Sequence, residues 1–266
     1  MRVRIIFHLK NKGAAVPFHH QHLISTFLDE AMLEAGYSPG QEVFYSFSGI
    51  KGQTKVGKGG LFFFSSRVTI VLSSHNKELI DNILKVVFSR HTIVFGEMEL
   101  EPESAELEKD PEFKEEMKYV SISPIITLGY QYGDSEAVVK QFIDPFSDVF
   151  SDYLYESTMA RMEASGWFTE EDFQSFFKFQ VVPDTHYIDK IKRNGKKFSR
   201  VYDMIFQGER KEVRGYTIPF TLYADPKVQQ FVFECGFGEY ANLGYGLLDI
   251  ANSNPLERAE VYQLPK

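Results

Sequence analysis

Apolar positions recur along this chain at two spacings, and the switches between them lay out its elements. Residues 2–9 (RVRIIFHL) are rich in β-branched and aromatic side chains, which predicts an opening strand. Within 18–35, Leu23, Phe27, Leu28, Ala31 and Met32 recur at helical spacing, and Gly36 supplies a stop. Strand-like runs follow at 42–47, 61–65 and 67–72, with a glycine-rich loop predicted over 48–60. Ile80, Ile83, Leu84, Val87 and Phe88 then mark an amphipathic helix, and 91–95 returns to a strand pattern. The order β-α-β-β-α-β is that of a ferredoxin-like fold, the architecture of many RNA-recognition modules.

The second half is expected to repeat that order. A strand over 119–128 is interrupted by Pro124, and Phe146, Val149, Phe150, Tyr153 and Leu154 trace one face of a helix within 142–166. A strand follows at 176–182, then a basic hairpin over 189–206 turning at Asn194-Gly195, a strong short-range hairpin signal. Further strands are predicted at 214–223, 231–235 and 247–250. The expected fold class is α+β, with two tandem ferredoxin-like domains at 1–117 and 118–266 and the acidic segment 97–117 as their boundary.

Composition narrows the setting. A single cysteine, Cys235, precludes an internal disulfide framework and fits a reducing compartment, so a cytoplasmic protein is expected. The apolar run at 3–7 is broken by Arg4 and is too short for a secretory signal. No stretch approaches the roughly 18 apolar residues of a membrane helix, so no membrane association is expected. A net charge of −8 argues at first against a polyanion partner, but the charge is unevenly distributed. Ten acidic residues face two lysines over 97–116, whereas nine Lys or Arg face four acids over 189–214. Phosphate binding depends on such local patches. The acidic run reads as a solvated face, and a separate alternative makes it the working surface of a protein–protein adaptor.

Four glycines, Gly236, Gly238, Gly244 and Gly246, are spaced G-x-G-x5-G-x-G near the end of the chain. Glycine permits positive φ and close backbone approach, so such a loop could present its amides outward as a nest for an anion. The alternative is a strand connection with two bulges and no ligand. No lysine follows these glycines as a P-loop requires. Gly236-x-Gly238-x-x-Ala241 has no room before the chain end for the helix and strand of a dinucleotide fold.

This loop, Gly-hydrophobic-Gly-x5-Gly-hydrophobic-Gly, resembles that of the CRISPR-associated endoribonucleases of the RAMP superfamily. Ser123-Pro124-Ile125 and the lead-in Pro17-Phe18-His19-His20-Gln21 resemble the same family. The resemblance implies two ferredoxin-like halves, with the glycine loop contacting RNA backbone and a basic hairpin of the second domain gripping CRISPR repeat RNA. It also implies metal-independent cleavage, in which a ribose 2′-OH attacks the adjacent phosphorus, with no cofactor. Family members place a histidine at the end of the first helix or in the loop after it. Here Glu34-Ala35-Gly36-Tyr37-Ser38 contains none.

The candidate RNA-binding residues are therefore Lys190, Lys192, Arg193, Lys196, Lys197 and Arg200, interleaved with Tyr187, Phe198 and Tyr202. To these are added Lys51, Lys55 and Lys58, and Gly236, Gly238, Gly244 and Gly246. Candidates for chemistry are Tyr37 as a base, Lys51 as a cation for the phosphorane, and His20 or His22 if the fold brings them close. His19 and His22 could also supply two metal ligands, but no acid or cysteine stands beside them, so no metal is expected. Two readings follow. One is an endoribonuclease releasing guide RNAs from CRISPR precursor RNA. The other is a repeat-RNA-binding protein of the same fold that does not cut, as a subunit of a CRISPR effector complex.

Overall fold

The computed structural model describes residues 1–38, 41–128, 142–206 and 208–263. The chain divides into two compact units, one of Met1–Asp110, Asn242–Gly244 and Asn254–Lys266, the other of Pro111–Ala241 and Tyr245–Ser253.

The first unit contains β1 (Arg2–Leu9), β2 (Ala15–Val16), α1 (Gln21–Glu34), β3 (Tyr45–Phe47), β4 (Thr54–Gly57) and β5 (Gly60–Phe63). It continues through β6 (Arg67–Ser74), α2 (Lys77–Ser89), β7 (Ile93–Phe95) and β8 (Met98–Glu108). Its main sheet runs β8-β1-β6-β3, antiparallel throughout, with Ala259–Val261 and β7 also paired to β8. Val3, Ile5, Phe7 and Leu9 alternate inward, against Ile24 and Leu28 of α1 and Ile80, Ile83, Leu84 and Val87 of α2. A smaller sheet, β2-β5-β4, stands apart from it.

Two expectations need revision here. Most of the acidic segment is strand rather than linker: β8 pairs with β1 along its length, and Met98, Leu100 and Ala105 are buried while Glu99, Glu101 and Glu103 face solvent. The change from the first unit to the second falls later in the same segment, between Asp110 and Pro111. The period-2 alternation of a half-buried strand is present in MELEPESAELE, masked by its charge and by Pro102. That proline pairs with Phe7, beside the register shift between Ile6 and Phe7, where a strand tolerates it. The loop predicted over 48–60 likewise holds β4, which pairs with β5 as a hairpin.

The second unit contains β9 (Glu116–Ser121), β10 (Ile125–Ile126), α3 (Asp148–Ser165), α4 (Glu170–Phe173), β11 (Phe179–Pro183) and α5 (Thr185–Arg193). It continues through β12 (Ser199–Phe206), β13 (Glu209–Tyr216), β14 (Pro219–Ala224), α6 (Pro226–Cys235) and β15 (Leu248–Ile250). Its sheet order is β11-β14-β9-β15. With β9, β11, β14 and β15 taken as first to fourth strands and α3 and α6 as the two helices, this is the same arrangement as in the first unit. The fold is α+β, two ferredoxin-like units in tandem.

The single strand predicted at 214–223 is the end of β13 and the start of β14. The strand predicted at 231–235 is the second half of α6. Asp225 caps that helix, its side chain accepting from the Lys227 N–H at 2.8 Å, and Pro226 occupies the first turn. Val228, Gln229 and every residue from Phe231 to Cys235 are buried, so the helix is covered on nearly every side, and its apolar run Phe231–Phe233 reads as readily as a strand.

Candidate nucleic-acid interface

The basic segment of the second unit is a helix followed by a strand, not a hairpin around Asn194-Gly195. Asp184 caps α5 by accepting from the Tyr187 N–H at 2.9 Å. At the other end the Gly195 N–H bonds the Lys192 carbonyl and the Lys196 N–H bonds the Ile191 carbonyl, both at 3.0 Å, with Gly195 at φ 65°. This is a Schellman stop, and Asn-Gly suits it for the same reason it suits a tight hairpin: both need a left-handed residue. Lys190, Lys192 and Arg193 occupy the last turn of α5, where cations meet the negative end of the helix dipole. Lys196 and Lys197 follow, and Arg200 lies on β12; all six are exposed. The Lys192 ammonium sits 5.7 Å over the Phe198 ring. The true hairpin is β12–β13, paired from Ser199↔Tyr216 to Phe206↔Glu209.

The glycine loop lies directly against that hairpin. Tyr202 of β12 meets Tyr245 edge-on at 6.1 Å, and burial pushes the phenol of Tyr245 well above its ordinary value. The loop turns several of its amides back into the protein rather than presenting them outward. The Phe237 N–H bonds the Gly246 carbonyl at 2.9 Å, that of Glu239 the Ile126 carbonyl at 3.0 Å, and that of Gly246 the Pro124 carbonyl at 2.8 Å. The Leu247 N–H bonds Ser123 Oγ at 2.8 Å. Its carbonyls are gathered by Arg161 of α3, whose guanidinium donates to Cys235 O at 2.5 Å, Gly236 O at 2.8 Å and Gly238 O at 3.1 Å. A Cβ at Gly246 would lie 2.1 Å from Phe237 O, and one at Gly238 2.4 Å from Ile126 O. Gly244, grouped with the first unit, leaves no room for a Cβ beside the Phe47 ring. These glycines let the chain approach its own backbone. The exposed part of the loop is its tip, around Asn242.

In the first unit Lys55 lies on β4 and Lys58 in the β4–β5 turn. Lys51 precedes them in a bridge with Thr69, and all three are exposed. The Lys55 ammonium stands 5.1 Å from the Phe64 ring centroid. His20 is buried and tied at both ring nitrogens. Nε2 accepts from the Ile50 N–H at 3.0 Å, so the ring proton sits on Nδ1, 3.2 Å from Pro17 O. Burial holds its pKa below the ordinary value. His22 Nδ1 lies 2.8 Å from His19 O. Tyr37 follows the stop of α1: the Gly36 N–H bonds Leu33 O and the Tyr37 N–H bonds Met32 O, a second Schellman motif. Its side chain packs half-buried on the core. Among the described residues no cluster of His, Cys, Asp or Glu could hold a metal ion. Nor is any of their helices long and apolar enough to cross a membrane.

The cations of both units therefore sit in one topological place, the connection between second and third strands. Arg161 was not singled out from the sequence, although it stands three residues after Thr158 on the stripe Phe150, Leu154, Thr158 that α3 buries.

Residues 107–250 match the family described as "CRISPR associated protein Cas6, C-terminal". The chain is 22% identical, over 94% of its length and 98% of the relative's, to a Pyrococcus furiosus protein provisionally named a CRISPR-associated endoribonuclease-like protein Cas6. Among solved structures, the product of a Cas6-related gene from Pyrococcus furiosus superposes with a TM-score of 0.77 at 20% identity, covering 96% of this chain and 99% of that one. A second, described as a RAMP protein binding different RNA substrates, gives 0.75 at 18% identity, covering 95% and 100%. The family match spans more than half of the chain, and this protein belongs to the Cas6 family of CRISPR-associated RAMP proteins.

Proposed function

We propose that this protein binds CRISPR repeat RNA in the cytoplasm, without a cofactor, and leaves the strand intact, as an RNA-carrying subunit of a CRISPR effector complex. Binding is supported by the family and by six exposed cations of the second unit beside Phe198 and the β12–β13 hairpin. One observation carries the absence of cleavage. No histidine occurs between His22 and His75, and His20, the buried one nearby, has both ring nitrogens engaged. A base must hold a free lone pair within reach of the 2′-OH. Using His20 would break the bond that holds Ile50, next to Lys51.

The test is incubation of the purified protein with repeat RNA in EDTA and again in magnesium. Intact RNA is expected in both, with affinity falling steeply as salt rises. Accumulation of a product ending in a 2′,3′-cyclic phosphate, abolished by a 2′-deoxy substitution at the cut, would establish the cleaving reading instead. That reading would rest on Tyr37 and Lys51.

A further inference from the structure

We propose that Phe142 is a stacking platform for one unpaired base of the bound strand, an inference that rests on the RNA-binding reading above. Phe142 is 49% exposed, yet its ring is held from behind. It lies 6.1 Å from the ring of Tyr216, which is fully buried, and the Arg214 guanidinium carbon is 5.9 Å from its centroid. Arg214 donates from Nη1 to Ser199 Oγ at 3.2 Å, and the Ile143 N–H donates to Tyr216 Oη at 2.8 Å, pinning the chain beside the ring. A base placed on such a surface costs little further side-chain ordering.

The surroundings specify the ligand. Arg214 and Tyr216 share one face of β13, and Val201 and Ser199 lie directly opposite them on β12. Ile205 continues that face, and Val201 and Ile205 are 39% and 55% exposed. Tyr202, Met204 and Val213 point the other way, with Met204 and Val213 buried. This face of the hairpin thus carries the exposed Val201 and Ile205 and, next to the Phe142 ring, Arg214, together with Asp203, Glu212 and Arg210, the last paired to Asp203 at 2.8 Å. Aromatic and guanidinium planes side by side match the π-face of a base and the phosphate next to it. The base must be unpaired, because a duplex hides its base faces in its own stack.

The experiment is fluorescence anisotropy on the full chain with single-stranded repeat RNA carrying one abasic site, moved along the strand. Wild type is expected to lose roughly ten- to a hundredfold in affinity at one position. Phe142→Leu keeps the apolar contact with Tyr216 but cannot stack. It should lose the same factor on intact RNA and become indifferent to that abasic position, with an unchanged salt slope; Phe142→Tyr should restore both. 2-Aminopurine at that position, read in wild type alone, should be quenched on binding, which keeps the test independent of how the variants fold. Wild type that binds RNA while Phe142→Leu matches it, or keeps the same abasic profile, overturns the platform and leaves the RNA reading standing. Wild type that fails to bind at low salt overturns both.

Discussion

The two units share a strand order and a helix arrangement, and in each the exposed candidate cations fall between the second and third strands. What fills that connection differs. In the first unit it is a four-residue hairpin pair, β4–β5, with Lys51, Lys55 and Lys58 and one aromatic contact. In the second it holds a capped helix, a basic linker and the longer β12–β13 hairpin, backed by Tyr216 and Tyr245. The fourth strand differs in the opposite sense: eleven residues of β8 against three of β15. One unit puts its length into a sheet and the other into a surface. A ferredoxin-like frame tolerates this because an antiparallel connection can be lengthened at a loop-closure cost that rises only slowly with length.

The largest expected effect tests whether the glycine loop is built for its own backbone. Gly246→Ala should destabilise the protein by about 3–5 kcal/mol, from a Cβ driven onto a carbonyl and a residue forced to stay at positive φ. Gly195→Ala, at a φ of 65° but with nothing within 4 Å of the new Cβ, should cost only about 1 kcal/mol. Equal denaturant midpoints for the two variants would break the distinction between a loop closed on itself and a simple helix stop. Arg161→Ala should follow at about 2–4 kcal/mol, since three buried carbonyls lose a charged donor. Arg161→Lys should recover only part of it, having no planar fork.

The comparison of connections is sharpened by charge removal. Lys190, Lys192, Lys196 and Lys197 changed together to Ala should weaken repeat-RNA binding by about ten- to a hundredfold and flatten the salt slope by about 0.7 for each phosphate no longer neutralised. Lys51, Lys55 and Lys58 changed together should cost less, about three- to tenfold. The reverse ranking would make the first unit the main RNA surface.

The smallest effect concerns His20. Its folded pKa lies below the unfolded value of 6.5, so folding favours the neutral ring. The stabilisation is complete above that value and declines as pH falls below it, because the unfolded chain takes up the proton first. The free energy of unfolding should therefore drop as the pH falls from 7 to 5.5. His20→Gln, which can also donate and accept, should remove that slope. A slope unchanged in the variant would place the titrating group elsewhere.

Much of this protein was legible from side-chain order alone. The alternation in β1, the helical stripe of α2 and the sequence of strands and helices in the first half follow from local period, because each of those elements buries one face. Where both faces are covered, or where charge occupies the solvent side, the signal fails. α6 reads as a strand because it is covered on nearly every side and its apolar run Phe231–Phe233 fits either element, and only Asp225-Pro226 marks its start. β8 reads as a linker because its outward positions are crowded with glutamate. Asn194-Gly195 reads as a hairpin because a left-handed residue serves two structures, and the choice between them depends on what precedes it.

The sequence by itself determined the family loop, the repeated α+β order and the concentration of cations late in the chain, since these are properties of residue type and spacing. Only the tertiary structure decided that the glycines face inward, that Arg161 gathers their carbonyls, and that Phe142 lies beside Arg214 on a hairpin more than fifty residues away. Such pairings depend on which strand registers oppose one another, and a linear pattern carries no record of them until the sheets form.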